Sequence, residues 1–286
     1  MHIILGGTGR VGSATARALL KRAEPVAVVT RNGKNAVDLE AAGARIVEVD
    51  IHDVAALRKV FRSGRRAFLL NPPAVPATNT DREEHATVTA ILDALDGSGL
   101  EKVVAASTYG ARPGKACGDL TVLYELERRL LAQPIPAAIN RGAYYLSNWT
   151  EALDTIRDTG SLPSLLPPDL VMPMVAPDDL GEAAARRLTT PITDMDLHYI
   201  EGPERYTPHD VATALAAALD RPVVLDVIPP EAWEETYITW GFSAAAAKSY
   251  TCMTETVVRE MVLPENPTRG TTTLRSFVQH VVTNRG

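Results

Sequence analysis

Apolar residues along this chain follow two alternating patterns. Short runs of aliphatic and β-branched residues are followed by longer stretches in which apolar positions recur every three or four residues. The first run, Ile3-Ile4-Leu5, passes through glycines into a stretch where Val11, Ala14, Ala18 and Leu19 share one helical stripe. Pro25 to Thr30 is a continuous run of the kind buried on both faces of a parallel sheet. Val37 to Ala42 reads as a short helix, and Arg45 to Val49 as a strand that delivers Asp50. Asp53 to Phe61 is helical, with Asp53 placed to cap it. Ala67 to Leu70 reads as a strand ended by Asn71-Pro72-Pro73, since proline cannot donate to a ladder. A helix over Thr80 to Leu95, a strand over Lys102 to Ala106, a helix over Leu120 to Ala132 and a strand over Ile135 to Ile139 follow.

Repetition of strand and helix predicts an α/β fold: a Rossmann-type, doubly wound parallel sheet with at least six strands, over residues 1–142. From Ala143 the alternation loosens. Tyr145 to Arg157 reads as a helix, the proline-rich Leu162 to Pro177 as a loop, and Pro177 to Arg187 as a helix with acidic residues in its first turn. A strand at Leu197 to Ile200 precedes a helix over Pro208 to Leu219, with Thr207 as its cap, and a strand over Val223 to Val227. Glu231 to Trp240, Ala244 to Val262 and Thr273 to Val282 read as helices. Residues 143–286 are therefore expected as a smaller, mostly helical substrate-binding lid, interleaved with the sheet.

The candidate chemistry starts in the first turn. MHIILGGTGRVG fits the glycine frames Gly6-x-x-Gly9-x-x-Gly12 and Gly7-x-Gly9-x-x-Gly12, after a strand and before a helix. Glycine permits the tight turn, lets backbone approach a pyrophosphate, and lets helix lie close to strand. The helix N-terminus adds free N–H groups and partial positive charge. At the end of the second strand an NAD site usually carries Asp or Glu for the ribose 2′-hydroxyl. Here the sequence is Thr30-Arg31-Asn32-Gly33-Lys34, two cations and no carboxylate, which suits a 2′-phosphate and predicts NADP(H) in preference to NAD(H).

Composition excludes more than it selects. The 286 residues are 45% hydrophobic, enough for a large core, and the net charge of −6 argues against a nucleic-acid partner. Cys117 and Cys252 lie far apart with no CxxC, so they read as buried or incidental thiols rather than a disulfide framework or zinc site. Six scattered histidines form no metal cluster. Apolar runs are shorter than a membrane span, and Met1 leads straight into a strand with no signal peptide, which together predict a soluble, cytoplasmic protein.

Several segments together resemble the NmrA-like family of atypical short-chain dehydrogenases/reductases, especially its NAD(P)H:quinone oxidoreductase-like members. They are GGTGRVG, RNGK, ERRLLAQPIPAAINRGAYYLSNW from Glu127 to Trp149, APDDLGEAAARRL, YIEGPERYTPHDVATALAAALDRPV and TTTLRSFVQHV. By that resemblance Gly6, Thr8, Gly9, Arg10, Val11 and Gly12 would hold the pyrophosphate, and Arg31 and Lys34 the 2′-phosphate. Asp50 and Ile51 would flank the adenine. Asn71, Pro72, Ser107, Thr108 and Tyr109 would lie on the nicotinamide side. Tyr109, Arg141, Tyr144, Tyr145 and Asn148 would line the substrate pocket.

The resemblance implies NAD(P)H-dependent hydride transfer to a quinone or similar electron-poor acceptor. It equally implies a non-catalytic redox sensor acting through a protein partner, and it leaves a homodimer open. The superfamily's Tyr-x-x-x-Lys pair is missing. Its nearest imitation is Tyr124-x-x-x-Arg128, which reads as a packed tyrosine beside a solvated arginine or as a phenolate-stabilising pair. The early-helix lysine of isoflavone-reductase-like proteins is also missing from Gly118-Asp119-Leu120-Thr121. No catalytic side chain is nominated. Hydride transfer to a quinone demands little beyond positioning and one donor for the developing oxyanion.

Overall fold

The computed structural model describes residues 1–261 and 263–284. The chain runs β1 (His2–Ile4), α1 (Arg10–Lys21), β2 (Val26–Thr30), α2 (Val37–Ala41), β3 (Arg45–Glu48), α3 (Val54–Arg62), β4 (Arg66–Leu69), α4 (Thr80–Leu95), β5 (Lys102–Thr108), α5 (Asp119–Leu131) and β6 (Ala137–Gly142). It continues through β7 (Tyr144–Tyr145), α6 (Leu153–Thr159), β8 (Ser161–Ser164), β9 (Met172–Val175), α7 (Pro177–Thr189), β10 (Leu197–Glu201), β11 (Arg205–Tyr206), α8 (Pro208–Leu219), β12 (Val224–Val227), α9 (Trp233–Thr239), α10 (Ala244–Glu260), β13 (Thr268–Arg269) and α11 (Leu274–Asn284).

Eight strands form one sheet in the order β13-β10-β6-β5-β4-β1-β2-β3, and every pairing in it is parallel. Strand alternation sends Ile3, Leu5, Ala27, Val29, Val103 and Ala105 into one core, built with α3, α4 and α5. The intervening Ile4, Val26, Val28 and Val104 face a second core built with α1, α2 and α7. Both faces are therefore covered, which is why the strands read as continuous apolar runs. The strand order reverses between β1 and β4, so the crevice at the C-terminal ends of these two strands is the topological switch point.

Sequences beyond residue 142 complete this sheet. The strand expected near Leu197–Ile200 pairs in parallel with β6, and β13, which has no apolar signature, lies outside it. A third core joins α6, β8, β9, α8 and α11 around Trp149, Ile156, Met174 and Leu215. Thr207 caps α8 in a reciprocal capping box with Asp210, as the sequence implies.

Two expectations for this half fail. Residues 145–157 are not one helix. Tyr144 and Tyr145 pair with Met174 and Val175, so the backbone stays extended, turns tightly at 146–150, and becomes helical only at Leu153. The proline-rich stretch 162–177 is not a plain loop, since it carries β8 and β9. Its prolines are tolerated because β8 pairs on one side only, in a two-stranded sheet, and Pro173 faces β11 across a pairing two residues long. The expected end of α10 at Val262 lies outside the described residues.

The cysteines are also a correction. Cys117 and Cys252 are not separate thiols but a disulfide, with Cα atoms 5.2 Å apart across a sequence separation of 135. That separation hides the pairing from any local reading, because only tertiary structure brings α10 to the loop before α5. No helix among the described residues is long and apolar enough to cross a membrane.

Candidate functional site

The glycine turn sits at the switch point. Gly6 has φ +61°, a left-handed conformation that favours glycine, and Gly9 N–H closes the turn on the Gly6 carbonyl at 2.9 Å. A Cβ on Gly12 would lie 2.2 Å from the Gly6 oxygen, and one on Gly7 would lie 2.5 Å from Val28 Cγ1. Strand, turn and helix are thus packed at distances only hydrogen allows. Gly9 is the N-cap of α1, and neither a side-chain cap nor an acidic residue occupies the first turn. The N–H groups there remain available to an anion. Val11 is buried, so it can contribute backbone only, while Arg10 extends away to an exposed ion pair with Glu151 at 2.9 Å. Thr8 faces Thr30 across the turn.

At the end of β2, Asn32 accepts from Lys34 N–H at 3.0 Å and shapes the next turn. Arg31 and Lys34 are exposed, and no ion pair among the described residues engages either. The carboxylate absent from this segment is supplied from the next strand, where Glu48 accepts from Gly33 N–H at 2.8 Å. Asp50 ends the same region with its carboxylate on His52 N–H, and Ile51 packs on the core below. Beyond β4, Asn71 Oδ1 is buried and lacks a hydrogen-bond partner among the described residues, and Pro72 is half-buried beside it. A buried amide oxygen without a donor is costly unless a ligand supplies one.

The end of β5 is tied inward. Ser107 donates to the Glu127 carboxylate, and Arg141 grips the same carboxylate through two bonds of 2.8 and 2.6 Å. Arg141 also reaches the Tyr199 hydroxyl at 3.1 Å. Glu127 holds the Arg141 guanidinium above its ordinary range despite burial, which acts the other way. Tyr109, only 8% exposed, donates to Glu201 at 2.9 Å and packs edge-on against Tyr199. Burial first, and then the Glu201 charge, hold its phenol far above the ordinary value. Glu201 is 0% exposed and is compensated by Arg205 and Arg269. Thr108 lies half-buried between these two networks. Tyr109 and Arg141 therefore reach the site with their polar atoms already engaged.

A second side is built from remote elements. Tyr144 leans on Trp149, with Asn148 exposed nearby; burial raises its phenol. Burial and the nearby Asp119 raise Tyr145 likewise. Above them Tyr237, Phe242 and Tyr250 of the α9–α10 hairpin form an aromatic cluster with centroids 4.9 to 5.6 Å apart. Asp119 opens α5, and Asp81 and Glu84 lie in the first turns of α4. Glu84, 2% exposed, accepts from Ala74 N–H at 2.9 Å; burial, then Asp119 and Asp81, push its carboxyl up to about 8. Burial and then Asp81 lift Asp119 to about 6. Asp119 and Glu84 also act on Tyr250. One region thus carries aromatic surface and a carboxyl that stays protonated near neutral pH.

The sequence missed Glu127, Glu201, Glu84 and Tyr250. Glu127 had a signal: an acid on the apolar face of α5, between Leu126 and Leu130. Glu84 had the same one on α4. Tyr124-x-x-x-Arg128 is not a closed pair, because the Arg128 fork is taken by Glu125 at the surface.

An open parallel sheet whose switch point carries a bare glycine turn at a helix N-terminus defines the nucleotide-binding, Rossmann-type class of α/β proteins. Within that class the chain belongs to the NmrA-like family, whose sequence model matches residues 2–261. The NAD(P)H azoreductase of Xenophilus azovorans is 24% identical over 223 residues, spanning 78% of this chain and 75% of that protein. The triphenylmethane reductase of Citrobacter sp. superposes with a TM-score of 0.81 at 16% identity, covering 99% of both chains. The NADPH-dependent quinone oxidoreductase of Escherichia coli, solved with NADPH, superposes with a TM-score of 0.76 at 18% identity, covering 98% of this chain and 99% of that one. At these identities the structural likeness is one of fold.

Proposed function

We propose that this chain is an NADPH-dependent reductase that passes hydride to a planar, electron-poor acceptor such as a quinone. One observation carries the reading. The turn from Gly6 to Gly12 is packed too closely for any Cβ at Gly12 and presents uncapped N–H groups at the switch point. That arrangement fits a pyrophosphate. Gly6, Thr8, Gly9, Arg10, Val11 and Gly12 would surround it. Arg31 and Lys34 would meet the 2′-phosphate, with Asp50 and Ile51 beside the adenine. Asn71, with its unpartnered oxygen, would face the carboxamide side together with Pro72, Ser107, Thr108 and Tyr109.

The cofactor, once bound, supplies the hydride. The remaining work belongs to the chain. Residues 1–142 would hold the dinucleotide, while residues 143–286 would cover the acceptor with Tyr144, Tyr145 and Asn148. Arg141 and Tyr109 would shape the floor rather than donate protons, because Glu127 and Glu201 already hold their polar atoms. No Tyr–Lys pair drives a proton step, so positioning and exclusion of water carry the rate.

The relatives' named activities on azo compounds, triphenylmethane dyes and quinones support an acceptor that is conjugated. The test is NADPH oxidation followed at its absorbance band with a panel of quinones and azo dyes, beside calorimetric titration of the cofactor. Turnover of at least one planar acceptor is the expected result. NADPH binding without turnover of any of them would overturn the enzyme reading and leave a cofactor sensor that signals to a protein partner.

A further inference from the structure

The acceptor side is covered by α10, and that helix is strapped to two loops that leave the C-terminal edge of the sheet. Its N-cap, Ser243, donates from its backbone to Pro76 O at 2.9 Å and from its hydroxyl to Thr78 O at 2.6 Å, both in the segment after β4. Further along, it meets the segment between β5 and α5. Ser249, fully buried, accepts from Gly118 N–H at 2.7 Å, and Met253 packs over Gly118. Arg112 donates to Thr256 at 2.9 Å and pairs with Glu260. Between these contacts lies the disulfide of Cys117 and Cys252. It is the one covalent tie between helix and loop among the described residues. It is also one residue from Gly118, which sets the start of α5 and hence the position of Asp119.

We propose that Cys117–Cys252 is a reversible redox site, a thiol–disulfide latch that holds α9–α10 closed over the acceptor side and releases it on reduction by a dithiol. Cys117 is 3% exposed and Cys252 is half-buried, so an incoming thiolate reaches the Cys252 sulfur first. A sulfur–sulfur bond forms there, the Cys117–Cys252 bond breaks, and Cys117 leaves as thiolate. The Thr256 hydroxyl lies 3.9 Å from the Cys117 sulfur, with the Arg112 guanidinium bound to that hydroxyl. The Thr256 hydroxyl is placed to donate to the departing Cys117 thiolate, which favours Cys117 as the leaving group. The second thiol of the dithiol then attacks the mixed disulfide, forming its own disulfide and releasing Cys252. Two electrons and two protons have passed to the pair, and the dithiol is oxidised.

Reduction leaves the hydrogen bonds of α10 in place but removes the tie that survives local opening. Segments held by a few hydrogen bonds open more readily than the core, and their amides exchange faster. The latch stands on the disulfide and the contacts of α10. Only its consequence for an acceptor rests on the reductase reading, so the test reads α10 itself.

Intact protein, isolated with an alkylating agent present, is weighed to count free thiols before and after dithiothreitol. Hydrogen exchange over residues 233–260 is then compared in oxidised protein, reduced protein and the Cys252→Ser variant. The expected result is no free thiol in the isolated protein and two after reduction. Protected amides of 233–260 should then exchange at least about tenfold faster, with α1 and α4 unchanged. Cys252→Ser should match reduced protein and ignore dithiothreitol. Reduced wild type serves alone if that variant fails to fold. Two free thiols at isolation, or equal exchange over 233–260 in both redox states, overturns the latch. Neither result depends on whether any acceptor turns over.

Discussion

The two ends of the candidate site are made by different means. The proposed phosphate end is backbone: seven consecutive residues, Gly6 to Gly12, whose spacing alone dictates the turn. The proposed acceptor end is side chains gathered from α4, α5, β6, β7 and the α9–α10 hairpin, spanning Asp81 to Tyr250. A backbone site is specified locally and fails when a Cβ intrudes. A gathered site is specified by tertiary packing, and it fails when one of its buried charges loses a partner. The two kinds of failure can be told apart by experiment.

The largest effect is expected on the gathered side. Arg141→Ala would strand the Glu127 carboxylate, which is buried and held by two bonds from that guanidinium. Breaking a buried pair by removing one partner costs about 3–5 kcal/mol. Urea unfolding should show that loss, and Arg141→Lys should recover only part of it, since an ammonium cannot fork. A loss below about 1 kcal/mol would mean that Glu127 takes up a proton or finds Ser107 sufficient.

Next comes the phosphate end. In Gly12→Ala the new Cβ must displace the Gly6 carbonyl from its 2.2 Å approach, so the turn opens. Dinucleotide affinity should fall by about a hundredfold or more, roughly 2.7 kcal/mol. Calorimetry measures it, and a melting curve separates lost binding from lost fold. Unchanged affinity would show that the turn is only structural.

These two variants mark what a sequence can and cannot declare. The sheet was legible because strands buried on both faces are apolar throughout, and Ile3-Ile4-Leu5 cannot be mistaken for a surface segment. The glycine turn was legible because its cause lies within twelve residues. Tyr144 and Tyr145 were not, since their partner strand lies some thirty residues on and passes through prolines. The disulfide and Tyr250 were hidden for the same reason: α10 finds its place only after the sheet exists. Glu84 and Glu127 were visible as acids on apolar helix faces, but their partners were not.

Glu84 gives an effect that varies with pH. Its carboxyl is raised from an ordinary 4.5 to about 8 by burial and by Asp119 and Asp81. The folded protein therefore binds more protons than the unfolded chain between those values. Its contribution is complete below 4.5 and is lost as pH rises through about 8. One such group changes stability by at most about 1.4 kcal/mol per pH unit. Wild type should weaken across that window, measured as the urea midpoint at successive pH values, while Glu84→Gln should be flatter. Parallel curves would place the titration elsewhere in the acidic group.

The smallest effect decides cofactor choice at the phosphate end. Arg31 and Lys34 are exposed, so any bond they make to a 2′-phosphate is screened, and Arg31→Ala should weaken NADPH by about tenfold. NADH, which lacks that phosphate, should change little. Glu48 sharpens the test because it brings a negative charge to the same turn through its bond to Gly33 N–H. Glu48→Gln keeps an acceptor for that N–H and removes the charge. If the turn receives a 2′-phosphate, the variant should bind NADPH a few-fold more tightly and NADH unchanged, and added salt should shrink the difference. If Glu48 instead holds a ribose hydroxyl, the same change should weaken NADH and leave NADPH nearly as it was. Calorimetric titration of both cofactors at two salt concentrations separates these results. Equal affinities in wild type, with no response to either substitution, would make the basic turn a solvated loop and leave the glycine turn as the whole of the phosphate site.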